Sequence, residues 1–170
     1  KSYAAKLETV RLMMTGVDVI IIDPEHEYKA LAEAVGGSFI NVSLASTQHI
    51  NPFDIPSVPQ DEGVEDVLKS HVVTVAGLIK MMVGQITPEE ESTLDRAITE
   101  TYAMKDIVVG KDFTKKIAPV LSDLKAVLEN MEGGKSVAER LYRFTEGSYS
   151  GFMNLPTNVD LNNRLIVFSL

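Results

Sequence analysis

The clearest indication of the fold expected for this chain is Val17–Tyr28, with the sequence VDVIIIDPEHEY. Its apolar run Val19–Ile22 is typical of a strand in a parallel sheet that is covered on both faces. Three carboxylates follow the strand directly: Asp23, Glu25 and Glu27. Because open α/β sheets bind ligands outside the carboxyl ends of their strands, this position predicts a functional edge. The same acids would also suit the first turn of a helix, where the helix dipole favours negative charge.

The surrounding residues predict alternating helices and strands. Apolar spacing predicts a helix over Ser2–Thr15 that stops at Gly16, and a second helix over Glu25–Val35 that ends at Gly36-Gly37. Ser38–Val42 is predicted to be the next strand. This order is the βαβ rhythm of a parallel sheet.

From residue 61 to residue 145 the apolar period becomes helical. An apolar stripe over Val64–Met82 predicts a long helix, and Thr87 with Glu90 predicts a capping box at the start of the next one. Ile117–Met131 is predicted to form a third helix, and Ser136 with Glu139 to cap a fourth that runs through Phe144.

The end of the chain is predicted to return to the sheet. Gly147–Pro156 is expected to be a loop, and Arg164–Leu170 a buried strand. The fold class is therefore α/β, a partial parallel sheet with an inserted all-helical subdomain. We expect residues 1–57 in the α/β core, residues 58–146 in the helical insertion, and residues 147–170 back in the core.

The overall composition restricts the classes of function. The 170 residues carry a formal net charge of −8, and the Lys and Arg residues are spread along the sequence, so no strong nucleic-acid signal is present. Cysteine is absent, which excludes disulfides and thiolate metal sites. The three histidines lack partners at metal-ligand spacing. We expect His71 to be a satisfied core residue, and His26 and His49 to be solvated.

Two short motifs allow both chemical and structural interpretations. Lys1-Ser2 stands before an amphipathic helix, as at the end of a phosphate-binding loop, where Lys reaches the β- and γ-phosphates and the hydroxyl ligates Mg²⁺. A Lys-Ser pair also occurs by chance. Asn51-Pro52-Phe53-Asp54 is predicted to be a structural turn, because Asn and Asp side chains bond their own backbone.

Taken in order, these segments resemble the conjugative-transfer and type IV secretion ATPases of the VirB/TraC type, within the HerA/FtsK group of RecA-like P-loop motors. Lys1-Ser2 resembles the end of Walker A, and Asp23–Tyr28 the family's DPExEY stretch, with His26 where the family often has Gly. Further likeness lies in Gly36-Gly37, Ile50–Asp54, Pro119, Leu121, Asp123, Leu124, Gly147, Gly151 and Phe152.

The resemblance implies an ATPase that uses ATP and Mg²⁺. Lys1 and Asp23 would be cofactor-binding residues, Ser2 would bind the cofactor and ligate Mg²⁺, and Glu25 is the candidate catalytic residue. The Walker A glycines would precede Lys1 and Walker B would follow Leu170, so the 170 residues alone are expected to be inactive. The resemblance also implies a homo-oligomer, a hexamer, that contacts secretion-channel components in the cytoplasm at the inner face of the cell membrane.

Two alternatives remain open. A HerA/FtsK-like DNA translocase would keep the ATPase chemistry but move nucleic acid, which the acidic charge disfavours. A non-enzymatic interaction module would use the helical residues to dock a partner.

Overall fold

A computed structural model describes residues 2–43, 46–56, 64–113 and 115–170, with the side chains of residues 64 and 65 left aside. The chain divides into two compact units. One combines Lys1–Ile50 with Thr157–Leu170, and the other is Asn51–Pro156. The predicted boundary between residues 57 and 58 falls on residues that are not described.

The first unit is the α/β unit. It contains α1 (Ser2–Met14), β1 (Val19–Asp23), α2 (Lys29–Val35), β2 (Ser38–Asn41) and β3 (Leu165–Ser169). The three strands form one sheet in the order β1-β3-β2, and both pairings are parallel. The predicted α/β class and parallel sheet are confirmed. The last strand in sequence lies in the centre of the sheet, between two strands from the first quarter of the chain.

The two glycines after α2 have different structural roles: Gly36 ends the helix, and Gly37 allows two strands to approach closely. Gly36 ends the helix in the left-handed conformation, with φ of 70°, which is a natural place for a residue without a Cβ. At Gly37 a Cβ would stand 2.7 Å from the Leu165 carbonyl oxygen and 2.9 Å from the Leu165 Cβ. Gly37 therefore lets β2 begin close against the central strand.

One face of the sheet is covered at all three strands, whereas the other face is exposed at β1 and buried at Ile166 and Ile40. Ala32 of α2 is buried with Leu165 and Val167 of β3 on the covered face. On the opposite face, Ile20 and Ile22 of β1 are 68% and 67% exposed. The expectation that this strand is buried on both faces is wrong for this chain. The physical reason is that β1 is an edge strand and its alternate side chains point away from α2.

The second predicted helix starts later than expected. Residues Asp23–Tyr28, which we call the elbow, lead from the last residue of β1 to the start of α2. His26 within the elbow takes a left-handed φ of 56° that a right-handed helix cannot contain. Glu25 and Glu27 consequently precede α2, whose first turn holds no acidic residue. The prediction that these acids serve the dipole of α2 is wrong.

The second unit is the helical unit, and in its described residues helices are the regular structure. They are α3 (Val64–Val83), α4 (Pro88–Met104), α5 (Leu121–Asn130), α6 (Lys135–Thr145) and α7 (Ser150–Met153). The helices bury one continuous core, whose fully buried members include Ile79, Leu94, Ile98, Leu124 and Leu141. The inserted all-helical subdomain is thus confirmed.

The ends of these helices test the local predictions. The capping box is confirmed, since Thr87 Oγ1 accepts from the Glu90 backbone N–H and Glu90 Oε2 accepts from the Thr87 backbone N–H. The cap at Ser136 is wrong, because α6 already begins at Lys135. The Ser136 hydroxyl instead accepts a hydrogen bond from Arg140. The short helix α7 forms inside the segment predicted to be a loop.

Candidate functional site

The carboxyl edge of the sheet brings three polar residues into register. β1 ends at Asp23, β2 at Asn41 and the central β3 at Ser169, and Ser169 is paired with both Asp23 and Asn41. Asp23 and Ser169 are only 2% and 1% exposed. Ligands of open α/β sheets bind at this edge, so it is the candidate site of the α/β unit.

The buried carboxylate of Asp23 shapes the elbow. Its Oδ2 accepts a hydrogen bond of 2.9 Å from the backbone N–H of Tyr28, which closes the turn before α2. Its backbone carbonyl accepts from the N–H of Leu170 at 3.3 Å. Asp23 therefore holds the turn, and the exposed carboxylates of the elbow are those of Glu25 and Glu27.

A second connection ties the middle of the elbow to the central strand. His26 Nδ1 and the Ser169 hydroxyl are hydrogen-bonded, although 143 residues separate them in sequence. His26 does this from a left-handed backbone conformation. His26 is exposed, as expected, and its side chain also links the elbow to the end of β3.

The N-terminal half of α1 lies against the elbow. Lys6 Nζ donates to the Glu27 carbonyl oxygen at 2.7 Å, and it stands 5.2 Å from the centroid of the Tyr28 ring. Ser2 lies four residues before Lys6 and hence on the same side of the helix, one turn nearer its start. Ser2, a half-buried residue, opens the helix. The start of α1 is thereby placed on the same side of the sheet as the elbow.

The structure describes three of the four predicted site residues. Asp23 ends β1 at the carboxyl edge, Glu25 follows it in the elbow, and Ser2 opens α1, while Lys1 lies outside the described residues. Ser169 and Asn41 were missed. Each stands one residue before the end of a predicted strand, Val42 or Leu170, so a place near the carboxyl edge was predictable, whereas their register with Asp23 was not.

The Asn51–Asp54 segment belongs to the helical unit, where it forms the predicted structural turn. Phe53 N–H donates to Asn51 Oδ1 at 3.1 Å, and Asn51 Nδ2 donates to the Pro119 carbonyl at 2.8 Å. Phe53 is fully buried, and its carbonyl accepts from the Tyr102 hydroxyl at 3.0 Å. This prediction is confirmed: the motif anchors the entry to the helical unit.

The remaining histidines both differ from the expected environment. Both ring nitrogens of His49 are buried without a hydrogen-bond partner, so the expectation of a solvated ring is wrong. Burial lowers the pKa of His71, while backbone carbonyl groups of Phe53 and Pro52 partly oppose this shift. Its Nε2 has no partner, so the ring is a core residue that is only partly satisfied.

No group of three or more potential metal-binding side chains comes together among the described residues.

The helical unit holds an open cavity of about 460 Å³ between α3 and α4, lined mainly by apolar side chains such as Leu68, Val72 and Ile107. Within the same described ranges, none of the helices is both long and apolar enough to cross a membrane.

Comparison with known proteins supports the family resemblance. No family model matches the chain, and no curated protein sequence matches it. Among solved structures, the chain is similar to VirB4 of Thermoanaerobacter pseudethanolicus, with a TM-score of 0.82 and 29% sequence identity. The similarity covers all of this chain but only 46% of that protein, so the chain spans less than half of its length.

Proposed function

We infer that this chain, which belongs with the VirB4-type ATPases of type IV secretion, forms part of the nucleotide site of a motor that energises secretion or conjugative transfer. The observation that carries the proposal is the meeting of the start of α1 with the elbow through Lys6. A helix start beside the carboxyl edge of a parallel sheet is a common site for phosphate groups.

The residues present suit a magnesium nucleotide. Ser2 supplies a hydroxyl at the start of a 13-residue helix, and hydroxyl and carboxylate oxygens are the ligands that Mg²⁺ prefers. In the proposal, Ser2 ligates Mg²⁺ and Lys1 contacts the β- and γ-phosphates. Bound MgATP would supply the phosphoryl group that is transferred to water. The positive end of the α1 dipole would add to the attraction of the phosphates.

The two acids of the predicted site take different roles in this proposal. Asp23 orients the elbow, because its carboxylate already accepts the Tyr28 N–H. Glu25 is exposed, and none of the described hydrogen bonds or ion pairs holds its carboxylate. We therefore assign to Glu25 the contact with the nucleotide or with the attacking water. Glu25 is therefore the residue whose charge should matter for turnover.

The further properties of the motor are also proposals. We propose that the full-length protein works as a hexamer, that it contacts secretion-channel components, and that it stands at the inner face of the cell membrane. These statements are supported by the family resemblance. The chain covers 46% of the solved VirB4, so much of the structure needed for these properties would lie in the other 54%.

The decisive experiment measures ATP turnover by the full-length protein that contains this chain. Lys1→Ala should abolish turnover, because the phosphate contact is lost, whereas Glu25→Gln should lower kcat without changing the unfolding midpoint. Glu33→Gln is the matched control, since Glu33 is an exposed acid of α2 whose ion pair among the described residues is with Lys29 on the same helix, at 4.0 Å. Full turnover by the Lys1→Ala protein would contradict the proposal.

A second experiment separates the alternatives. Binding of DNA by the assembled protein that weakens steeply with salt would favour a DNA translocase. The interaction module has one observation in its favour, the apolar cavity between α3 and α4 beside the exposed Val73. Val73→Lys should then remove binding of a channel component while leaving ATP turnover unchanged.

A further inference from the structure

The elbow is held at its ends by contacts that do not reach its middle. Asp23 binds the Tyr28 N–H, and Lys6 binds the Glu27 carbonyl. Between these two fixed points lie Pro24, Glu25 and His26. Among the described contacts of these three residues, the hydrogen bond from His26 to Ser169 is the one that reaches the sheet.

His26 holds an unfavourable backbone conformation to make this contact. Its φ of 56° lies in the left-handed region, where a residue with a Cβ is disfavoured and glycine is at ease. A non-glycine residue persists there when its surroundings over-determine it, and such positions cluster at functional sites. Glycine would fit this conformation but has no side chain that could reach Ser169. The hydrogen bond to Ser169 therefore explains why a histidine stands at this position.

Ser169 is a rigid anchor for the contact. It is the last residue of the central strand, it is almost fully buried, and it is in register with both Asp23 and Asn41. A hydrogen bond to a buried side chain of a strand paired on both sides restricts the elbow far more than one to a surface loop would.

We propose that His26 is a positioning residue that locks the elbow to Ser169 and thereby fixes the place of the neighbouring Glu25 carboxylate. This role rests on the proposed function of Glu25 in nucleotide turnover. Without the lock, Asp23 and Lys6 still hold the ends of the elbow, but Glu25 samples several positions. Misplacement of a reacting group by about 1 Å can cost up to about a hundredfold in rate, so the loss should fall on kcat.

The functional test uses the full-length protein and two substitutions that break the same bond from opposite sides. His26→Ala and Ser169→Ala should each lower kcat for ATP by about tenfold while KM changes less than about twofold. The double variant should be no slower than either single variant, because both remove one interaction. Ser38→Ala is the control: its hydroxyl donates to the Asp160 carbonyl at 2.5 Å at the opposite end of β2, and its kcat should stay at the wild-type value.

The outcomes separate the lock from the proposed function. If His26→Ala keeps the wild-type kcat while Glu25→Gln lowers it, the positioning role is wrong and the proposed function stands. If Lys1→Ala keeps full turnover, the proposed function fails first, and the role of His26 in turnover fails with it.

A measurement on the full-length protein without ATP tests the lock itself, independently of turnover. In Ser169→Ala, amide hydrogen exchange at Glu25, His26 and Glu27 should become faster, and the His26 ring resonances should shift, while exchange in α2 stays unchanged. His26→Gly separates backbone strain from the contact: it relieves the left-handed conformation but loses the hydrogen bond, so its elbow should exchange as fast as that of Ser169→Ala. Unchanged exchange at these three amides in Ser169→Ala would overturn the proposal.

Discussion

The helical unit and the α/β unit bury their apolar residues to very different degrees. In the part of the chain that the structure describes, the helical unit collects 17 buried residues in a single cluster, whereas the corresponding cluster of the α/β unit holds three. The α/β unit also leaves Ile20 and Ile22 mostly exposed. Since burial of apolar surface is the main favourable term in folding, the helical unit has its own source of stability. The α/β unit relies more on strand pairing and on single polar contacts.

The largest effect should come from one substitution made in both units. Ile98→Ala in α4 removes a fully buried side chain and should lower the free energy of unfolding by about 2–5 kcal/mol. Ile22→Ala in β1 removes the same atoms from an exposed position and should change it by less than about 0.5 kcal/mol. Urea unfolding followed by circular dichroism measures both. Equal losses would show that the two units do not differ as described.

A smaller effect should follow from adding a Cβ in each unit. Gly37→Ala would push against the Leu165 backbone and should destabilise the α/β unit by about 1–3 kcal/mol. Gly77→Ala in α3 meets nothing within 4 Å, so the better helix former should stabilise the helical unit by about 0.5–1 kcal/mol. Hydrogen exchange of the β3 amides and of the α3 amides reports the two units separately. Stabilisation by Gly37→Ala would contradict the close approach of β2 to β3.

The smallest effect should be a pH dependence confined to the helical unit. Burial lowers the pKa of His71 below its ordinary value of 6.5, so the unfolded chain binds a proton at a higher pH than the folded chain does. The stability of the helical unit should therefore fall as the pH drops below about 6.5, the ordinary pKa of histidine. His71→Gln, which cannot titrate, should lose less stability between pH 7.5 and pH 5.5, as measured by the urea midpoint. An identical loss in both proteins would assign the pH dependence to other groups.

Local patterns predicted most of the elements, because each depends on neighbouring residues. The stripe over Val64–Met82 became α3, and Thr87 with Glu90 became the capping box at the start of α4. Where a prediction from a local pattern was wrong, the conformation depends on hydrogen bonds outside that pattern. The start of α2 was displaced by the Asp23–Tyr28 hydrogen bond and by the contact of His26 with Ser169.

The candidate site shows the same division. Asp23 and Glu25 were predicted because carboxylates after a buried strand are a local signal. Ser169 lies 143 residues from its partner His26, and no pattern within one segment relates them. Its place became evident only when β3 was found between β1 and β2.

Residue types and their spacing were enough to predict the class of the fold, the alternation of helices and strands, the acidic end of β1 and the helical character of the long insertion. These follow from residue type and apolar period, which act over a few residues. Three features became visible only in the folded chain: β3 is the central strand, one face of β1 is exposed, and His26 in the elbow is hydrogen-bonded to Ser169. Those features depend on which distant segments pair, and pairing is governed by packing and hydrogen bonding across the whole chain.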